Sequence, residues 1–95
     1  MFARVATFEG GDVERLRQAN EEAMASGELV LPAGLSRAMV LQGDERRLFV
    51  TFFESREALD AAEERFEQMG DEIPEEIRGR RVGVDVYEVV FEATA

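Results

Sequence analysis

From Leu48 to Phe53 the sequence reads Leu-Phe-Val-Thr-Phe-Phe, a run with five large apolar side chains and no charge. Successive side chains of a β-strand point to opposite faces, so Leu48, Val50 and Phe52 lie on one side and Phe49, Thr51 and Phe53 on the other. Neither side is polar. The preceding strand places Leu35, Met39 and Leu41 against Ala38 and Val40, and the last strand places Val82, Val84 and Val86 against Tyr87, Val89 and Phe91. An antiparallel sheet with one face in water keeps that face polar. Whatever this chain folds into must therefore cover both faces of its sheet. A chain of 95 residues buries only about 60–65% of its unfolded surface, too little to supply both covers itself.

The elements follow from periodicity and punctuation. Phe2 to Phe8 alternates as a strand, and Gly10-Gly11 breaks it. Asp12 is placed to cap a helix that carries Val13, Leu16, Ala19 and Ala23 on one face and stops at Gly27. An apolar loop from Leu29 to Gly34 leads into strands over 35–42 and 47–53, joined as a hairpin at Gly43-Asp44-Glu45. Ser55 caps a second helix, with Leu59, Ala62, Phe66 and Met69 as its stripe and Gly70 as its end. Asp71 to Gly79 is an acidic loop with room for one helical turn after Pro74, and a last strand runs from Arg80 to Glu92, with a bulge or turn near Glu88.

The order β-α-β-β-α-β predicts an α+β fold of ferredoxin-like topology, a four-stranded antiparallel sheet with two helices on one face, formed by residues 1–95 as one domain. The uncovered apolar face then predicts a homodimer packed sheet on sheet.

Composition bounds the chemistry. The chain has no Cys, His or Trp, which removes disulfides, thiol and imidazole catalysis and a histidine ligand to metal or haem. The 21 acidic residues outnumber 11 basic ones, all arginine, for a net charge of −10, which disfavours nucleic acid and anionic membranes as partners. No apolar run approaches a membrane span, and Met1 to Arg4 does not open a signal peptide, so a cytoplasmic protein is expected. The clusters Glu21-Glu22, Glu63-Glu64-Glu67 and Glu72-Glu75-Glu76 read as solvated faces and not as a metal site.

Three stretches carry a family resemblance: the opening Ala3-Arg4-Val5-Ala6-Thr7-Phe8-Glu9-Gly10, the hairpin running into Phe53-Glu54-Ser55-Arg56-Glu57-Ala58-Leu59, and the closing strand through Tyr87-Glu88-Val89. With these the chain resembles the dimeric α/β barrel superfamily, and within it the antibiotic biosynthesis monooxygenase-like group. None of the three is a catalytic signature. The resemblance implies a ligand pocket between helices and sheet, and the fold hosts monooxygenases, isomerases, haem degraders and binding proteins, so fold alone does not name a function. The absent His and Trp separate this chain from the haem degraders, which leaves cofactor-independent oxygenation of a phenolic or polyketide-like compound, with no metal, haem or flavin, beside a non-catalytic binding or assembly module.

Under that reading the pocket residues are Asn20, Met24, Arg37, Phe52, Phe66, Met69 and Tyr87, around a small apolar or aromatic ligand. Asn20 interrupts the apolar face of its helix. It either hydrogen-bonds a substrate carbonyl or enolate or is a boundary residue tied to a loop. Arg4, in phase with Phe2, Ala6 and Phe8, either meets an anion or forms an interior or interface ion pair, and Arg37 has the same two readings. Tyr87 either donates a hydrogen bond in the pocket or sits at an interface rim.

Overall fold

The structure, a computed structural model, describes residues 1–27 and 31–95. Leu29 and Val30, part of the predicted apolar loop, lie outside the described residues. The elements are β1 (Phe2–Glu9), α1 (Val13–Ser26), β2 (Leu35–Gln42), β3 (Arg46–Phe53), α2 (Arg56–Glu72), α3 (Glu75–Arg78) and β4 (Arg80–Glu88). The strands form one sheet in the order β2-β3-β1-β4, and all three pairings are antiparallel. This is the ferredoxin-like α+β arrangement, with β1 and β3 central.

The caps follow the local chemistry. Asp12 Oδ1 accepts from the backbone N–H groups of Glu14 and Arg15 at 3.1 and 3.2 Å, and Gly27, at φ 78°, donates back to the carbonyls of Ala23 and Met24. Ser55 Oγ accepts from the Ala58 N–H at 3.1 Å. Gly70 does not end α2. The helix runs on to Glu72 because nothing at Gly70 turns the backbone left-handed, and Ile73, extended before Pro74, stops it instead.

The corner between β1 and α1 is fastened to α3. Asp12 N–H donates to Ile77 O at 2.9 Å, and a Cβ on Gly11 would lie 2.6 Å from both Gly79 N and Ile77 O. Gly10 has a similar positive φ, 76° against 80°, but its Cβ would meet nothing within 4 Å. Alanine at either position incurs the left-handed backbone strain of about 1 kcal/mol. Gly11→Ala should cost about 2 kcal/mol more than Gly10→Ala, because main chain cannot move aside as a side chain can. Urea titration of the two variants measures the difference, and equal midpoints would contradict the close approach.

Cross-strand partners share a face, so the registers decide what looks where. Phe53, Leu59, Ala62 and Phe66 form the buried core between the sheet and α2, with Phe2, Leu35, Phe49, Met69 and Val86 packed around it. Phe66 meets Phe49 and Phe53 edge to face, both at 5.9 Å between ring centroids. The helix-side face thus carries Phe2, Arg4, Ala6 and Phe8 of β1, Arg47, Phe49, Thr51 and Phe53 of β3, and Val84 and Val86 of β4.

The other face carries Ala3 and Val5 of β1, Met39 and Leu41 of β2, Leu48, Val50 and Phe52 of β3, and Tyr87 of β4. Among the described residues no helix lies over it. The expectation of a sheet apolar on both sides is met, with two changes of detail. The β2–β3 register slips between Leu35 and Arg37, which puts Leu35 opposite Phe53 in the core and leaves Arg37 beside Met39 and Leu41 without it. The irregularity in β4 falls opposite Thr7 and Phe8, where Val82 is the extra residue, and not at Glu88. Beyond Glu88, Val89 N–H still reaches Met1 O at 2.9 Å, but residues 90–95 find no partner strand, so β4 ends short of the predicted Glu92. No helix among the described residues is long and apolar enough to cross a membrane.

Candidate functional site

The helical layer covers the sheet unevenly. α2 buries Leu59, Ala62 and Phe66, whereas α1 buries only Leu16. Between α1, α2 and the sheet lies an open cleft of about 390 Å³. Its floor is Ala6, Phe8, Val40 and Phe49, one side is Leu16 and Asn20 of α1, and the other is Phe66, Met69 and Gly70 of α2. Its polar lining is Arg4, Arg47, Arg78, Arg80 and Arg81 together with Glu67, Asp71 and Glu75. The volume falls in the range that small-molecule sites occupy, and an apolar floor with a few convergent polar groups is their usual make-up.

Arg4 is 2% exposed. Its guanidinium forks onto Glu63, with Nε–Oε1 at 2.8 Å and Nη2–Oε2 at 3.2 Å, and lies 4.5 Å from the Phe66 ring centroid. Arg4 thus forms an ion pair within the chain. Arg47, also buried, donates through Nε to Gln42 Oε1, through Nη1 to Arg78 O and through Nη2 to Gly10 O, at 3.0, 2.7 and 3.1 Å. It is the clasp that holds β3 to the Gly10 corner and to α3. Arg81 Nη1 donates to Glu67 Oε1 at 2.7 Å. That hydrogen bond, then the Arg81 charge, then the charge of Arg4, hold the Glu67 carboxyl below the usual glutamate range, so Glu67 stays an anion and is no general acid near neutrality.

Of the side chains predicted for a pocket, Asn20, Phe66 and Met69 line this cleft, and Arg4, read as an anion or ion-pair residue, lines it too. Met24 is exposed and lines a smaller hollow of about 230 Å³ on the far side of Asn20 and Val40. Arg37, Phe52 and Tyr87 do not face the cleft at all. They pair with Phe52, Arg37 and Ala3 respectively, on the uncovered face of the sheet, and Tyr87 is 57% exposed there. The physical reason is the double-sided strand: alternation separates two apolar faces without saying which one the helices take. Arg47, Arg78, Arg81 and Glu67 are cleft residues that the sequence reading passed over. Arg47 had a visible signal, since it is in phase with Phe49, Thr51 and Phe53; Arg78 and Glu67 had none, because a three-dimensional corner brings them in.

No group of three or more Asp or Glu side chains gathers to hold a metal ion among the described residues. No protein-family model and no curated protein matches the chain. Among solved structures, the chain is similar over its full length, and over the full length of the other chain, to an MhuD variant crystallised with two manganese protoporphyrin IX bound per active site, at 17% identity and a TM-score of 0.60. At that identity the likeness is one of fold: the chain has the ferredoxin-like fold of that porphyrin-binding protein. The residues here do not fit haem as a resident group. Haem iron is held by His, Cys, Tyr or a Met paired with His; His and Cys are absent, Tyr87 is on the opposite face, and Met69 alone lines the cleft.

Proposed function

We propose that the protein binds a small, flat, largely aromatic molecule in the cleft between α1, α2 and the sheet, and does so as a homodimer of the dimeric α/β barrel type. The observation that carries the binding reading is the cleft itself: about 390 Å³ floored by Phe49, Ala6, Phe8 and Val40, beside the core of Phe53, Leu59, Ala62 and Phe66. Thermal melts against a panel of phenols, hydroxynaphthoquinones and anthrones test it. A ligand selective for the native state raises the apparent stability by about 2.7 kcal/mol at a concentration one hundred times its Kd, which is a shift of several degrees. A flat response across the panel would remove the ligand and leave an assembly module.

The enzymatic form of the reading is cofactor-independent oxygenation, in line with the resemblance to the antibiotic biosynthesis monooxygenase-like group. Asn20 supports it, because its amide borders the cleft where a substrate carbonyl or phenolate would lie and can donate a hydrogen bond as charge develops there. The balance is self-contained: a phenol with an unsubstituted para position and one dioxygen give a quinone and one water, the ring supplying the electrons. An oxygen electrode read beside quinone absorbance tests this form. One dioxygen consumed per quinone, with the rate falling in Asn20→Ala, is the expected result, and binding without oxygen uptake assigns the protein to the non-catalytic class.

The dimer reading rests on the uncovered face, a largely apolar surface of Val5, Met39, Leu41, Leu48, Phe52 and Tyr87 around the buried Val50, with Arg37 and Asp85 also on it and no cover among the described residues. A second copy supplies an identical apolar surface, as two-fold symmetry requires, so light scattering should give about twice 10.7 kDa.

A further inference from the structure

The cleft is cationic in a strongly acidic protein. Five of the 11 arginines line it, against three of the 21 acidic residues. Arg4 and Arg81 are matched by Glu63 and Glu67 at 2.8 and 2.7 Å, and Arg80 is loosely matched by Glu9 at 3.7 Å. Arg47 and Arg78 are matched by no carboxylate among the described residues. Their hydrogen bonds go to neutral groups: Arg47 to Gln42, Arg78 O and Gly10 O, and Arg78 through Nε to Ile73 O and through Nη1 to Gly79 O, at 3.1 and 3.0 Å. Arg47 is 4% exposed and Arg78 is half-buried.

A buried guanidinium without a carboxylate is unusual, since removing the charge from water is costly unless an opposite charge is near. Here the two share one end of one cleft, in a chain with carboxylates to spare. The carbonyls orient both groups without neutralising them, and although Glu67, Asp71 and Glu75 line the same cleft, none of them pairs with either. Arg78 keeps Nη2 free of any hydrogen bond within the described residues. That leaves the Arg78 Nη2 group to donate a charge-assisted hydrogen bond to an anionic oxygen.

We propose that the cleft's ligand bears a carboxylate, seated at the Arg47–Arg78 end, with its aromatic body on Phe49 and Phe66. The assignment deepens the small-molecule reading and rests on it. An aromatic acid fits both halves of the cleft: the rings meet the apolar floor, and the anion offsets part of the charge of the two unmatched cations. The same charge explains why a net −10 protein can attract an acidic ligand, because the local field of the cleft, not the sum over the surface, governs the last few ångströms where salt screens the rest.

The experiment compares 1-hydroxy-2-naphthoate with the neutral 1-hydroxy-2-naphthamide by isothermal titration calorimetry on the intact protein. The two are nearly isosteric and differ, at the group in question, in charge and in one oxygen replaced by NH2, which is why the salt and variant arms are read beside the ratio. The acid should bind about tenfold tighter than the amide, and the ratio should fall towards one in Arg78→Gln and be retained in Arg78→Lys. Arg78 also holds the turn at Gly79, so the wild type supplies a control free of folding effects: raising the ionic strength from about 0.05 to about 0.5 M should compress the ratio for the same reason. Equal binding of acid and amide, or a ratio unmoved by both the variant and salt, overturns the carboxylate assignment and leaves the cleft reading standing. Binding of neither overturns both.

Discussion

Phe53→Ala is expected to lower the stability by about 3–5 kcal/mol, whereas Phe52→Asp, one residue away, is expected to leave the fold in place and halve the mass in solution. Phe53 is fully buried, its ring is set edge to face on Phe66, and Leu35 of β2 pairs with it across the strand. Truncation leaves a cavity at the centre of a small core, where neighbouring elements cannot collapse without breaking the β1–β3 pairing. At about 4–8 °C per kcal/mol for a domain of this size, the melting temperature falls by more than about 12 °C. Phe52 faces the opposite way, in the apolar surface that a second copy would cover. An aspartate there stays hydrated in the monomer but would be taken out of water in the dimer, with only Arg37 beside it to offset the cost. Light scattering and far-UV circular dichroism separate the two effects. A Phe52→Asp protein that remains twice the monomer mass would refute the sheet-on-sheet dimer; one that loses its secondary structure at every concentration would mean that this face belongs to the core.

The second large effect is an asymmetry within one ion pair. Glu63→Ala should cost about 3 kcal/mol, while Arg4→Met should cost about 1 kcal/mol or less. Both changes delete the same two hydrogen bonds. What differs is the charge left behind. The side chain of Arg4 is 2% exposed and that of Glu63 is 40% exposed, so removing the glutamate strands a cation among Phe66, Ala6 and Thr51, whereas removing the arginine leaves a carboxylate that turns to water. Methionine also keeps most of the apolar volume against Phe66, losing the cation–ring attraction of about 1 kcal/mol. Urea unfolding of both variants reads the difference directly, and equal costs, or a larger one for Arg4→Met, would mean that Arg4 is stabilised by packing and not by its partner.

These two experiments mark the border of what could be read from the residues in order. The hairpin, the Asp12 and Ser55 caps and the Gly27 stop were all legible, because each depends on a few neighbours along the chain: a side-chain oxygen within reach of N–H groups two or three residues on, or a glycine where φ turns positive. Gly70 shows the limit of that reasoning. A glycine is permitted to end a helix and is not obliged to, and α2 continues past Gly70 until Ile73, extended before Pro74, stops it.

The cleft was less legible. Asn20, Phe66 and Met69 could be picked out because polar and apolar positions on a helix declare which side is buried. Arg37, Phe52 and Tyr87 could not be placed. In a strand with two apolar faces, periodicity divides the side chains into two sets and is silent on which set the helices cover, and the slip at Ser36 puts Leu35 on the face opposite to Arg37, Met39 and Leu41.

From local chemistry alone, then, come the order of elements, the division of each strand into two faces, and the need to cover both, since these follow from backbone geometry and from the aversion of apolar surface to water. Tertiary structure decided which face became the floor of the cleft, how Arg47 and Arg78 came to share one end of it, and which carboxylates reached their arginines. Those outcomes depend on loop closure and strand register over tens of residues, and no neighbour in the chain encodes them.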